Sequence, residues 1–177
     1  MNDAPQPEIA THHHFGNTPI FVFCDHASNM IPDRLNCLGL PADLLHTHIA
    51  YDIGAAAVAS NLAQALSGKL FTCGFSRLVI DANRSPDTAD LIPEISDRIP
   101  IPGNQDLTPQ ERTARIIEFH APYHQHLGTA ISAFIARHEA PLFLCIHSFT
   151  NRLMGAKEER PWRLVCSGTR MNNRPVL

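Results

Sequence analysis

The sequence lacks the features of exported, membrane-spanning and nucleic-acid-binding proteins. No apolar stretch approaches the ~20 residues that cross a bilayer, and no basic segment followed by an apolar one begins the chain. The 14 basic residues are scattered among 17 acidic ones, for a net charge of −3, so no electrostatic surface for nucleic acid or an anionic membrane is predicted. We expect a soluble, unexported protein with no nucleic acid and no membrane among its partners.

Paired cysteine motifs are also missing. The five cysteines are odd in number, contain no C-x-x-C pair, and are Cys24, Cys37, Cys73, Cys145 and Cys166. Several lie inside apolar runs, where buried reduced thiols are the usual explanation. This usage favours the cytoplasm.

Three common catalytic signatures are absent. The sequence has no H-E-x-x-H pair and no glycine-rich phosphate loop, and Ser148 is not part of a G-x-S-x-G turn. We therefore set aside nucleotide binding and acyl-serine chemistry.

The length and composition suffice for one ordinary core. With 177 residues and 44% hydrophobic residues, one domain over residues 19–177 is the default expectation. Residues 1–18 are polar and aperiodic and are predicted to be a flexible arm. The run His12–His14 in that arm is interpreted as exposed and solvated rather than as a metal site.

The first half of the chain alternates between strand and helix patterns. Pro19–Cys24 is predicted to be a buried strand that ends at the polar sequence Asp25-His26-Ala27-Ser28-Asn29. A helix is predicted from Pro41, with His48 and Asp52 on one face, and a second or continued helix over Ala55–Leu66. Strands are predicted at Lys69–Cys73 and Arg77–Asp81.

The second half begins with a long connection over residues 84–108, which is rich in proline. It is either a functional loop covering a site or a surface excursion. Thr108-Pro109-Gln110-Glu111 then forms a predicted capping box that starts a helix, with a kink or break at Pro122. Pro141–Ile146 is predicted to be a buried strand. The helix stripe predicted to be buried consists of Ile116, Ile117, His120, Tyr123, Leu127, Ile131, Phe134 and Ile135.

This order predicts a three-layer α/β/α domain with a largely parallel sheet. Ligands of such sheets bind beyond the carboxyl ends of the strands, where His26 and His147 are expected to lie. A hydrolytic zinc site needs about three N or O ligands, and the predicted set is His26, Asp52 and His147. Asp25, Asn29 and His48 are nearby substitutes or supporting partners. The alternative is that each histidine is a hydrogen-bonded structural residue.

Other polar groups are candidates for substrate binding and catalysis. Arg77, Asn83 and Arg84 flank one predicted strand and suit recognition of a carboxylate; the alternative is an arginine paired with Asp81 or Asp87 on the surface.

His120 and His124 lie one helical turn apart and are interpreted as hydrogen-bonded structural histidines. His124 is nevertheless predicted to reach the site, and Asp25 and His124 are the catalytic candidates. Ser148, next to His147, is a substrate-binding candidate.

Together these segments resemble the N-formylglutamate amidohydrolase family over about residues 19–164. The matching stretches are Cys24-Asp25-His26-Ala27-Ser28-Asn29-Met30-Ile31-Pro32, residues 48–54, residues 76–84, Ile101-Pro102-Gly103-Asn104, Pro122-Tyr123-His124, His147-Ser148-Phe149-Thr150 and Arg160-Pro161-Trp162. The resemblance implies a fold similar to that of zinc-dependent exopeptidases and aspartoacylases. It also implies hydrolysis of an N-acyl amino acid such as N-formylglutamate, with zinc or another divalent metal as the cofactor.

The resemblance also assigns roles. In those relatives a histidine follows the first motif, an Asn-Arg pair binds the substrate carboxylate and a later histidine ligates zinc. His26, Asn83-Arg84 and His147 occur in that order.

The chain departs from the family pattern in two places. Asn151 stands where the family usually has proline. The family also continues past residue 177 to an Asn-Glu-Pro-Tyr motif whose glutamate resembles a general base.

A nucleotide string that encodes V-L-W-N-A-N-E-Q-P encodes C-S-G-T-R-M-N-N-R, the sequence of residues 166–174, when read one base later. We therefore expect a C-terminally truncated or frameshifted member with weak or no activity. The alternative function is a catalytically dead remnant that binds metal or a carboxylate ligand.

Overall fold

A mixed four-stranded sheet organises the part of the chain that the computed structural model describes, residues 8–160. The strands are β1 (Ala10–His14), β2 (Ile20–Cys24), β3 (Lys69–Cys73), β4 (Ile95–Ser96), β5 (Ile99–Pro100) and β6 (Leu142–Cys145). The helices are α1 (Ala55–Ala65), α2 (Pro109–Arg115) and α3 (Ala121–Ile135). The sheet order is β1-β3-β2-β6, while β4 and β5 form a separate antiparallel pair.

Strand direction and side-chain alternation produce the layers. β2 runs parallel to both β3 and β6, and β1 runs antiparallel to β3. Val22, Cys24 and Leu70 pack on one face against the small alanines of α1, whereas Phe21 and Phe71 belong to the core on the opposite face with aromatic residues of α3. The predicted three-layer α/β fold with a largely parallel sheet is confirmed.

The register of β2 and β6 brings two distant segments together. Phe23 lies opposite Cys145, and the Ile146 N–H donates to the Phe23 carbonyl at 2.9 Å. Because both strands run in the same direction, their carboxyl ends meet at one edge of the sheet. His26 and His147 therefore emerge side by side.

The predicted flexible arm is wrong at residues 10–14, which form β1. These residues pair along their whole length with β3, and the Thr11 and Thr72 hydroxyls are hydrogen-bonded at 2.5 Å. An edge strand tolerates a solvent-facing row of histidines, which is why its polar sequence shows no apolar periodicity. Residues 1–7 lie outside the described range.

The helix predicted from Pro41 is also wrong. Residues 41–54 contain a short 3-10 helix at Leu44–His46, which ends where Thr47 becomes extended. The α-helix begins only after Gly54, whose φ of 78° ends the irregular segment. His48 and Asp52 consequently do not share a helix face.

The strand predicted at Arg77–Asp81 is instead a buried turn. The Ser76 hydroxyl accepts from the Leu78 N–H at 3.1 Å, which favours a local turn over an extended strand. Two carbonyls that a neighbouring strand would satisfy are bonded by side chains. Asn104 donates to the Leu78 carbonyl, and Arg115 donates to the Val79 carbonyl.

The long connection over residues 84–108 is anchored to the core. Leu91, Ile92 and Ile101 are buried, and Arg84 to Pro86 line a cavity of about 610 Å³. The connection therefore borders a site instead of forming a loose excursion.

The capping box at Thr108 and Glu111 is confirmed, and so is the interruption near Pro122. A π-helical turn at Ile116–His120 joins α2 to α3 and accommodates the proline that follows it.

Within the helix stripe predicted to be buried, Ile117 and Ile135 are exposed, whereas Phe119, omitted from that prediction, is buried.

Strand β6 is half exposed, contrary to the prediction of a buried strand. Leu142 is 51% exposed because β6 is at the edge of the described sheet.

The frameshift hypothesis concerns residues 166–174, which lie outside the described range, as does Trp162.

Among the described helices, none combines the length and apolar character needed to cross a bilayer.

Candidate metal centre

The two histidines named from the sequence lie together at the edge of the sheet. Their ring centroids are 5.1 Å apart. Ligand atoms of His26, Asp52 and His147 all lie within 4.8 Å of one another. The structure thus groups the predicted metal set from three segments separated along the chain.

The tautomer of His26 follows from its partners. Nε2 lies 2.6 Å from Asp81 Oδ1, and since an ionised carboxylate only accepts, Nε2 carries the proton. Among the buried side-chain nitrogen and oxygen atoms of the described residues, His26 Nδ1 is the one that has no hydrogen-bond partner. A buried nitrogen lone pair with no donor facing it suits a metal ion.

Asp52 is positioned between the two rings. Its Oδ2 lies 3.5 Å from His26 Nδ1 and 2.9 Å from His147 Nδ1. Tetrahedral zinc with bonds of about 2.0–2.1 Å would hold its ligand atoms about 3.3 Å apart. The donor set and its spacing therefore fit a divalent cation such as zinc.

The electrostatic surroundings also favour a positive charge. Burial raises the pKa of Asp52, but the hydrogen bond with His147, the nearby His26 ring and Arg77 bring that pKa well below its ordinary value. Burial lowers the pKa of His26, but the nearby Asp52 carboxylate and the hydrogen bond to Asp81 outweigh this and raise it. A proton or a cation at His26 Nδ1 is stabilised by the same carboxylates.

Asp81 supports the centre through its hydrogen bond with His26. Its carboxylate accepts from His26, from Arg77 at 2.9 Å and from the Asn83 backbone at 2.9 Å. Burial raises the pKa of Asp81, yet His26 and Arg77 hold that pKa well below its ordinary value. An ionised Asp81 fixes the ring of His26 in the orientation that a ligand needs.

A cavity of about 610 Å³ lies beside the centre and is lined in part by Asp25. Asp25 is 5% exposed and accepts a hydrogen bond from the Tyr123 hydroxyl. Its Oδ2 lies 3.8 Å from His147 Nε2. Asp25 therefore connects the candidate ligands with a space large enough for a small molecule.

The catalytic candidate His124 lines the same cavity, together with His120. Burial and the neighbouring His120 lower the pKa of His124, so its ring is neutral near pH 7. His120 Nε2 lies 2.9 Å from the Arg84 carbonyl, in agreement with the structural interpretation of that histidine.

The four substrate-binding candidates occupy different environments. Asn83 and Arg84 line the cavity, and Arg84 also pairs with Asp90 at 2.5 Å. Arg77 lies behind the centre, in contact with Asp52 and Asp81, which matches the alternative of a paired arginine. Ser148 donates its backbone N–H to Asp52 at 3.2 Å.

Two of the substitute ligands do not join the centre. His48 Nε2 lies 2.9 Å from Asp97 Oδ2, and Asn29 donates to the Leu45 carbonyl. His48 is predicted near the centre because a continuous helix would place it on the same face as Asp52. Since that helix does not form, His48 lies elsewhere.

Sequence reasoning missed three contributors: Asp81 as the acceptor for His26, Tyr123 as the donor to Asp25, and Cys145 beside His147. The sequence assigns Asp81 and Tyr123 to stretches shared with the family, and beyond that it predicts only an arginine partner for Asp81 and a place in the buried helix stripe for Tyr123. A signal for Cys145 is available, since it lies two residues before His147 and alternate residues of an extended chain point to the same side.

Comparison with known proteins places these motifs in one family. The model of the N-formylglutamate amidohydrolase family matches residues 18–176. A solved gene product from Agrobacterium tumefaciens is 35% identical, with a TM-score of 0.79 over 84% of this chain and 60% of that protein. An N-formylglutamate amidohydrolase from Ralstonia eutropha is 22% identical, with a TM-score of 0.66 over 82% of this chain and 59% of that protein.

The second of these similarities concerns the fold alone. The chain spans about 60% of the length of the solved structures that it matches. No curated protein matched it.

Proposed function

Because this chain belongs to the N-formylglutamate amidohydrolase family, we propose that its site hydrolyses the amide bond of an N-acyl amino acid with a divalent cation, zinc in the first instance. N-formylglutamate is the proposed substrate, and formate and the free amino acid are the proposed products. The observation that carries the proposal is the unpartnered Nδ1 of buried His26 facing Asp52 and His147.

His26, Asp52 and His147 would hold the cation. When bound, it supplies Lewis acidity to the amide carbonyl and acidifies water. Asp81 keeps the proton of His26 on Nε2 and so leaves Nδ1 free. Ser148 fixes the Asp52 carboxylate through its backbone N–H.

The cavity side chains would orient the substrate. Asn83 and Arg84 offer donors for a carboxylate, while Phe23 and Leu127 provide an apolar wall. Asp25, at the border between cavity and centre, is the group proposed to hold or transfer a proton. Neutral His124 is the second such group.

Arg77 takes a different role in the proposal. Since its guanidinium contacts Asp52 and Asp81, it stabilises the ionised carboxylates around the centre. This role replaces direct contact with the substrate.

The test is an assay of formate release from N-formylglutamate with zinc added. Two proteins are assayed, the present chain and a version extended in the family's reading frame to the length of the solved relatives. Release by the extended version that is lost in His26→Ala supports the proposal. Metal binding by both versions without any formate release would favour the alternative, a protein that only binds metal or a carboxylate ligand.

A further inference from the structure

A second group of ligand atoms lies on the other side of the His147 ring. Asp25, Cys145 and His147 offer a carboxylate oxygen, a thiol sulfur and a ring nitrogen within 4.8 Å of one another. Cys145 Sγ lies 3.1 Å from His147 Nε2 and 3.5 Å from Asp25 Oδ2. His26 and Asp52 contribute nothing to this group.

The two groups use opposite nitrogens of one ring. His147 Nδ1 faces Asp52 at 2.9 Å, and Nε2 faces Cys145 and Asp25. A neutral imidazole has one lone pair and one N–H. The ring can therefore ligate a cation in only one of the two groups at a time. The N–H of its other nitrogen then donates to the group that holds no cation.

We propose that Asp25, Cys145 and His147 form a second position for a thiophilic divalent cation, and that this position competes with the first for His147. When a cation binds there, Nε2 is the ligand and the Nδ1–H donates to Asp52. Such a carboxylate orients a ligating histidine in many metal sites. Asp52 thus changes from ligand to supporting acceptor.

The sulfur atom decides which cation is favoured. Thiolate is a soft ligand and selects soft or borderline metals over Mg²⁺ and Ca²⁺. A thiol binds a divalent cation as the thiolate, so the thiol proton leaves to solvent when the metal–sulfur bond forms.

The position borders the 610 Å³ cavity through Asp25. A cation held there occupies the carboxylate that the proposed function assigns to proton transfer, and it withdraws His147 from the first position. Thiophilic metals should accordingly act as inhibitors of any hydrolysis at this site, a consequence that rests on the proposed function.

Cadmium is the probe, and the readout is the ultraviolet charge-transfer band of a cadmium–thiolate bond. Metal content is measured in the same samples. The full chain is first loaded with zinc and then titrated with cadmium. We expect the band to appear as one equivalent of cadmium binds and one of zinc is released.

Cys145→Ser keeps the size of the side chain and removes the soft donor, and we expect it to lose the band. Cys37→Ser is the matched control because Cys37 is also exposed, and it should behave as the wild type. His26→Ala should keep the band, since His26 is not in the second group. This variant separates a failure of the first metal position from a failure of the second.

Three results would overturn the inference. They are absence of the band in the wild type, its persistence in Cys145→Ser, and retention of the full zinc content while cadmium binds. Circular dichroism of each variant confirms that the fold is intact.

Discussion

At the scale of single residues, the centre depends on where protons are held. Asp81 accepts from His26 Nε2, so the lone pair of that ring points at Asp52 and His147. Sequence alone predicted both histidines and Asp52, because each is a ligand type and the histidines end apolar runs. It could not predict the role of Asp81, since a carboxylate near two arginines has a simpler explanation in an ion pair.

Replacing Asp81 with asparagine should weaken metal binding. The loss of an orienting carboxylate behind a histidine ligand typically lowers metal affinity by about 10- to 100-fold. Zinc affinity is measured by competition with a chromophoric chelator. Asp90→Asn is the control, because Asp90 pairs with Arg84 but not with His26, and equal losses in both variants would contradict the assigned role.

At the scale of elements, the correct predictions were those that local chemistry decides. Strands β2 and β3 follow short apolar runs, helix α1 follows helical periodicity, and α2 follows its capping box. The error at residues 77–81 has a tertiary cause. The Asn104 and Arg115 side chains donate to the carbonyls of the buried turn. No local pattern in residues 77–81 predicts these donors, which are distant in sequence.

Asn104→Ala should destabilise that buried turn. Asn104 donates to the Leu78 and Pro93 carbonyls and accepts from Arg115. Leaving buried polar groups without partners costs about 1–3 kcal/mol each, so urea unfolding should show a loss of about 2–4 kcal/mol. Asn61→Ala on the exposed face of α1 is the control and should change little; a comparable change in both variants would contradict the prediction.

The capping box predicts a dependence on pH. Hydrogen bonds from Thr108 lower the pKa of Glu111 below its ordinary value of 4.5. The stability from this ionised group is therefore present above about pH 4.5 and is lost as the pH falls through the lowered folded-state pKa.

The wild type should be more stable than Glu111→Gln at pH 7, and the difference should shrink toward pH 3. Urea unfolding across this range measures it, with Glu139→Gln as the control. A difference that does not change with pH would show that the charge of Glu111 contributes nothing.

At the scale of the whole molecule, the sheet brings the site together. The three proposed ligands come from the segment after β2, the segment before α1 and the segment after β6, and the parallel pairing of β2 and β6 fixes two of them at one edge. The alternation of strands and helices predicted this edge. The position of His48 away from the metal centre and the location of β6 at the edge of the described sheet are not predictable from sequence, because both depend on packing between distant segments.

The central claim is that His26 and His147 bind one metal ion together, and metal analysis tests it most directly. The test uses Cys145→Ser, which removes the soft donor of the second position. This protein and its His26→Ala, His147→Ala and control His46→Ala variants are loaded with zinc, dialysed and analysed for metal per chain, with circular dichroism as the check on folding. We expect about one zinc per chain in the Cys145→Ser protein and the control, and a large loss in both site variants. Full zinc content in a folded His26→Ala or His147→Ala protein would contradict the account.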